Sequence, residues 1–161
     1  MKKFITVLTI SALAVLLLAC QQEEQQPEAD PKAEKSALLN NHLQVASKVR
    51  DGYQAISAYE SATEEDAEAL TEETIAAISE TIEKLESFEH VEGLSESDQE
   101  AFEEAVNEVK EAFAVYQSEI EHTEEPNFEE AVAHLEAYNE IVGDLFESRD
   151  MLAPDLIAEI Q

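Results

Sequence analysis

One thiol, four imidazoles and 38 carboxylates are the groups on which this 161-residue chain could do chemistry. The thiol, Cys20, stands alone, so a disulfide within the chain or a zinc–thiolate cluster is excluded. The imidazoles are His42, His90, His122 and His134. A di-metal carboxylate site in a helical bundle requires a Glu-x-x-His pair on each of two helices. Glu119 and His122 form one such pair, but Leu39, Ser87 and Ala131 stand three residues before the other histidines. Glu119 and His122 are therefore only weak metal-ligand candidates, and the sequence predicts no metal centre and no cofactor. Glu86 with His90, and Glu130 with His134, read as i,i+4 pairs on exposed helix faces, worth about 0.2–0.5 kcal/mol each. Glutamates recur at so many spacings that no pair of them is diagnostic of acid–base catalysis. The chain has no Gly-x-Ser-x-Gly elbow, no glycine-rich phosphate loop and no calcium loop. The sequence predicts a non-enzymatic protein.

Helices must position these groups, because the apolar residues from Ser36 onward step by three and four. The first segment carries Leu38, His42, Val45, Val49, Tyr53 (or Gly52), Ile56 and Tyr59, which makes His42 a hydrogen-bonded core or boundary histidine. The second carries Ile75, Ile78, Ile82, Leu85 and Phe88, and the third Phe102, Val106, Val109, Phe113, Tyr116 and Ile120. The fourth carries Phe128, Val132, Leu135, Tyr138, Val142, Leu145 (with Phe146) and Arg149. Tyr53, Tyr59, Tyr116 and Tyr138 read as core-edge residues whose hydroxyls reach water. The second helix starts at Thr63 or at Thr71, Gly93 reads as a helix C-cap, and Ser95 opens the third helix. Asn127 with Glu130 reads as a capping box, and Pro154 as the end of the fourth helix, leaving at most a short terminal turn. Gly52 and Gly143 lie inside helices, where either could admit a close helix approach. Short links force neighbouring helices antiparallel, so the expected fold is all-α: an up-down four-helix bundle.

Ahead of the helices the chain changes character. Lys2 and Lys3 precede residues 4–19, which are apolar apart from Thr6, Thr9 and Ser11, and the run closes on Leu17-Leu18-Ala19-Cys20. A positive start, an apolar stretch and a small residue before the break form a secretory signal. With a cysteine in this place, the segment resembles the lipobox of bacterial lipoproteins. That resemblance implies that residues 1–19 are removed, that Cys20 is acylated on sulfur, and that acyl chains there hold the protein to the membrane. It further implies an extracytoplasmic location on the outer face of the cytoplasmic membrane, or at the outer membrane in a Gram-negative cell. Residues 20–35 then form the lipidated cysteine and an acidic tether without large apolar side chains, expected to be disordered, and residues 36–161 the bundle domain.

Charge narrows the partners. Losing Lys2 and Lys3 with the leader leaves seven basic residues against 38 acidic ones, a net charge of −31. Such a chain repels nucleic acid and offers no basic patch for phosphates. It favours a basic protein, a cationic peptide or a wall component as partner. In composition it also resembles small glutamate-rich helical lipoproteins of Gram-positive bacteria described as cell-wall-binding. The sequence thus predicts a lipid-anchored envelope interaction module. The alternative is a small-ligand or metal-binding lipoprotein with a pocket between helices, near His42.

Overall fold

A computed structural model describes residues 30–123 and 125–161. Cys20, the expected leader and most of the expected tether lie outside the described residues. Four long helices form the bundle: α1 (Pro31–Glu60), α2 (Glu64–Glu86), α3 (Glu96–His122) and α4 (Glu129–Glu147). A fifth, α5 (Leu156–Ile160), follows, and no strand occurs among the described residues. Cross-helix contacts fix an antiparallel order. Lys48 Nζ donates to Lys84 O (2.8 Å), Gln117 Nε2 to Ser79 Oγ (3.3 Å), and His134 Nδ1 lies 2.7 Å from Glu108 Oε2.

Chain entry differs from the sequence expectation. The bundle begins at Pro31 rather than Ser36, because Asp30 caps α1 by accepting from the Lys32 N–H (3.0 Å) and Pro31 suits the first helical turn. Glu34, expected in the tether, faces Arg149 instead. Thr63 starts α2: its hydroxyl accepts the Asp66 N–H (3.3 Å) and donates to the Asp66 carboxylate (2.7 Å). Ser95 and Asp98 repeat this reciprocal cap on α3. Thr71 is interior to α2 and bonds back to Ala67 O.

The α3 stripe packs as expected, with Phe102, Val106, Val109, Phe113, Tyr116 and Ile120 all buried, joined by Ala105 and Ala112. On α1 the buried position is Gly52, and Tyr53 is half-buried. The buried line of α2 is Thr74, Ile78, Thr81 and Leu85, which puts Ile75 and Ile82 on its flanks. Thr81 tolerates burial because its hydroxyl is satisfied by Ala77 O (2.9 Å), leaving a methyl for the core. On α4, Ala131 is buried and Val132 exposed, a shift of one residue from the predicted face.

The α2–α3, α3–α4 and α4–α5 links each depart from expectation. Gly93 is not a C-cap; α2 stops at Glu86, and Gly93 sits in the connection at φ +118°, where only a glycine is unstrained. A β-carbon there would also press on Ala37 Cβ at 3.2 Å. The Asn127–Glu130 capping box does not form: Asn127 Oδ1 accepts the Glu129 N–H (2.9 Å), and the Asn127 N–H goes to Glu119 Oε2. Helix α4 ends at Glu147, seven positions short of Pro154, and Asp150 in the left-handed region (φ +53°) turns the chain back. Arg149 is consequently in this turn and not on the α4 stripe. Residues 156–160, expected as at most a short terminal turn, form the five-residue helix α5, whose Leu156 and Ile160 are fully buried against α1 and α4.

Buried Asn41 locks the α2–α3 connection onto α1. Its Oδ1 accepts the Val91 N–H (2.9 Å) and its amide donates to Ala37 O (2.9 Å). Asn41→Leu leaves the Val91 N–H without its partner, and we expect a loss of about 1–3 kcal/mol in urea unfolding. Unchanged stability would show that water replaces the amide.

Candidate functional site

The residues singled out for metal chemistry do not converge. Glu119 is committed to the Asn127 N–H, and His122 Nδ1 faces Ser118 O at 3.0 Å on an exposed helix end. Neither surface pair forms either. His90 lies beyond the end of α2, with Nε2 at 3.3 Å from Glu103 on α3, while its Nδ1 is buried without a hydrogen-bond partner. His134 reaches Glu108 on α3 at 2.7 Å rather than Glu130 on its own helix. Among the described residues, no three His, Cys, Asp or Glu side chains are grouped to hold a metal ion.

His42 is a core residue, as its place on the stripe predicts, and it joins three helices. Nδ1 lies 2.8 Å from Tyr138 Oη on α4, and Nε2 lies 3.0 Å from Glu159 Oε2 on α5. A neutral ring protonated on Nε2 satisfies both: the tyrosine hydroxyl donates to Nδ1, and Nε2–H donates to the carboxylate. Tyr138 is fully buried rather than reaching water at a core edge. Burial first, and the Glu159 charge second, push its hydroxyl above the ordinary phenol range, so it serves as a donor and not as a base. The Phe146 ring closes the edge of His42 at 5.9 Å between centroids. Tyr138, Glu159 and Phe146 thus occupy the space directly against the His42 ring. What His42, Tyr138 and Glu159 do is hold α5 in place, together with Asn139, whose Oδ1 accepts the Leu156 N–H (2.9 Å).

Charge is distributed unevenly along the bundle axis. Helix α1 spans about 45 Å from Asp30 to Glu60 at 1.5 Å per residue. The end near Asp30 carries Lys32, Lys35 and Arg149, the last paired with Asp98 and standing 3.5 Å from Glu34. Residues 52–83 and 111–136, which the antiparallel fold brings to the opposite half, contain no lysine or arginine but nine and eight acidic residues. All seven basic residues of residues 20–161 thus lie in the half nearer Asp30 or at mid-height.

The acidic end is also where the bundle opens. A cleft of about 850 Å³ runs between the α1–α2 turn and the α3–α4 connection, lined by Tyr59, Glu60, Glu64, Glu68, Ile120 and Phe128 among others. A second lobe of about 700 Å³ continues over Glu60, Pro126 and Phe128 to Val132 and Glu136 on α4. Phe128 is held by Tyr116, ring centroids 4.9 Å apart. Partial burial pushes the Glu60 carboxyl above the ordinary glutamate range. The floor is apolar and aromatic and the rim carboxylate, so the cleft offers both apolar contact and negative charge.

The sequence marks Phe128, Val132 and Ile120 only as stripe residues, and Tyr59 as a stripe residue at the core edge. Their shared signal is position: each sits at the last or first turn of a helix, where a stripe runs past the end of its partner. Among the described residues no helix is long and apolar enough to cross a membrane. No protein-family model matches the chain, and neither curated proteins nor solved structures yield a match.

Proposed function

We propose that this chain is a lipid-anchored, extracytoplasmic, non-enzymatic helical module that captures a basic protein, a cationic peptide or a wall component close to the membrane. The observation that carries the reading is Cys20 at the end of Leu17-Leu18-Ala19-Cys20, behind a positive start and an apolar run. Acyl chains on Cys20 supply the attachment that the acidic body does not, since lipid headgroups of like sign repel it. The charge asymmetry supports the same arrangement. The chain leaves Asp30 toward Cys20 at the end that carries Lys32, Lys35 and Arg149, so the end without lysine or arginine lies farther along the bundle from the anchor.

Cys20→Ser tests the anchor. The variant is expected to leave the membrane pellet for the soluble fraction or to retain residues 1–19, while mass spectrometry of the parent shows an acylated Cys20 as first residue. Equal membrane attachment of both forms, each with residues 1–19 intact, refutes it. Crosslinking in intact cells at low and high salt tests the capture: basic partners are expected to be enriched, and less so as salt screens the attraction.

A further inference from the structure

We propose that the two-lobed cleft at the acidic end is the docking site of a cationic amphipathic peptide segment, with its apolar side on Phe128 and Ile120 and its lysines or arginines against Glu60, Glu68 and Glu136. The assignment rests on the capture reading above and gives it a place and a ligand chemistry.

Three features select this occupant. Among the described residues no lysine, arginine or histidine lines either lobe, so the carboxylates there have no local counter-charge. They lie in the half of the bundle whose two sequence stretches lack lysine and arginine. A second copy of the chain would bring like charge to the cleft and is repelled, as is any anion. A simple divalent ion needs converging ligands, and the carboxylates line a long cleft rather than a point. A purely polar polycation would leave Tyr59, Ile120, Pro126 and Phe128 uncovered, whereas a segment with one apolar face covers them. Glu60 lies in both lobes, and the desolvation that raises its carboxyl is offset by the attraction of a cation placed beside it. Docking should therefore release protons at acidic pH, where Glu60 is partly protonated.

The test uses the full lipidated chain in zwitterionic vesicles, titrated by calorimetry with a 14-residue leucine–lysine amphipathic peptide at ~14 residues to match about four helical turns. Protein-free vesicles serve as blank. Two variants remove the same charge from opposite ends: Glu60→Gln/Glu68→Gln in the cleft, and Glu89→Gln/Glu92→Gln in the exposed α2–α3 connection. Matching melting curves establish that all three forms are folded. The expected result is saturable binding, weakened about tenfold by the cleft pair and no more than about twofold by the distant pair. Equal weakening by both pairs, or no weakening by the cleft pair, overturns the site while leaving a diffuse electrostatic capture standing. Absence of saturable binding to the parent also overturns the site, and the crosslinking experiment then judges the capture separately.

Discussion

Leu156→Ala and Ile160→Ala should each destabilise the bundle by about 2–3 kcal/mol, the cost of truncating a fully buried aliphatic side chain. For a helical body of this size that is a fall in melting temperature of roughly 8–12 °C. The effect is large for so small an element because α5 completes the seam between α1 and α4. Leu156 and Ile160 are both at or near zero exposure, and Glu159 meets His42, one of the few polar side chains in the core. A helix of five residues has no stability by itself, so α5 is ordered only while it is docked. Docked and undocked are then alternatives for the whole segment. The double variant should lose less than the sum of the single losses, and no more than deletion of residues 156–161, because destabilisation stops once α5 has left. Urea unfolding of the four forms reads this directly. Single variants that melt within about 2 °C of the parent would reduce α5 to a passive tail.

Most of the helical frame was legible because burial in a bundle leaves a periodic trace. The α3 stripe shows this best: alternating steps of four and three put six large side chains on one face, and all six are buried. Legibility failed wherever a small or polar residue occupied the centre of a face. On α2 the buried line runs through Thr74 and Thr81, which periodicity reads as outside, because Thr81 has an internal acceptor for its hydroxyl. At the end of α4 no glycine marks the stop; Asp150 adopts the left-handed turn itself, and Pro154 drew the boundary too far. Helix α5 packs Leu156, Ile157 and Ile160 on the core within five residues, too short a stretch for a period to register. The histidine pairs failed for a different reason. Along-helix spacing suggested Glu130 and Glu86, but the carboxylates on α3 lie closer to those rings.

The cleft shows what a sequence count can and cannot supply. That residues 52–83 and 111–136 hold no lysine or arginine is plain in the chain itself. Only antiparallel folding turns those two stretches into one end of a body, and only the helix ends bring Tyr59, Ile120 and Phe128 to one place. Spatial polarity of charge is thus a property of the topology and not of the composition. The same net charge spread over four faces would repel anions equally well and recognise nothing in particular.

The two helical glycines, alike in the sequence, should respond to substitution with opposite signs. A β-carbon on Gly143 meets nothing closer than Ala153 Cβ at 3.5 Å, an ordinary contact. Gly143→Ala should therefore stabilise the protein by up to about 1 kcal/mol, through helix propensity and the reduced freedom of the unfolded chain. A β-carbon on Gly52 falls inside the contact shell of Thr81 Oγ1 and 2.8 Å from Phe113 Cε1. Neither neighbour yields cheaply, since Thr81 is tied to Ala77 O and Phe113 is fully buried. Room can come only from parting α1 from α2 and α3, so overpacking outweighs the propensity gain. Gly52→Val should cost about 3 kcal/mol and lower the melting temperature by roughly 10 °C. If the clash with the threonine hydroxyl is the cause, Gly52→Ala should be less harmful in a Thr81→Ala background, with a coupling of about 1 kcal/mol. Gly52→Val melting at or above the parent would mean that the helices do not meet at this level, and the close α1–α2 packing that shifts the α2 face onto its threonines would lose its basis.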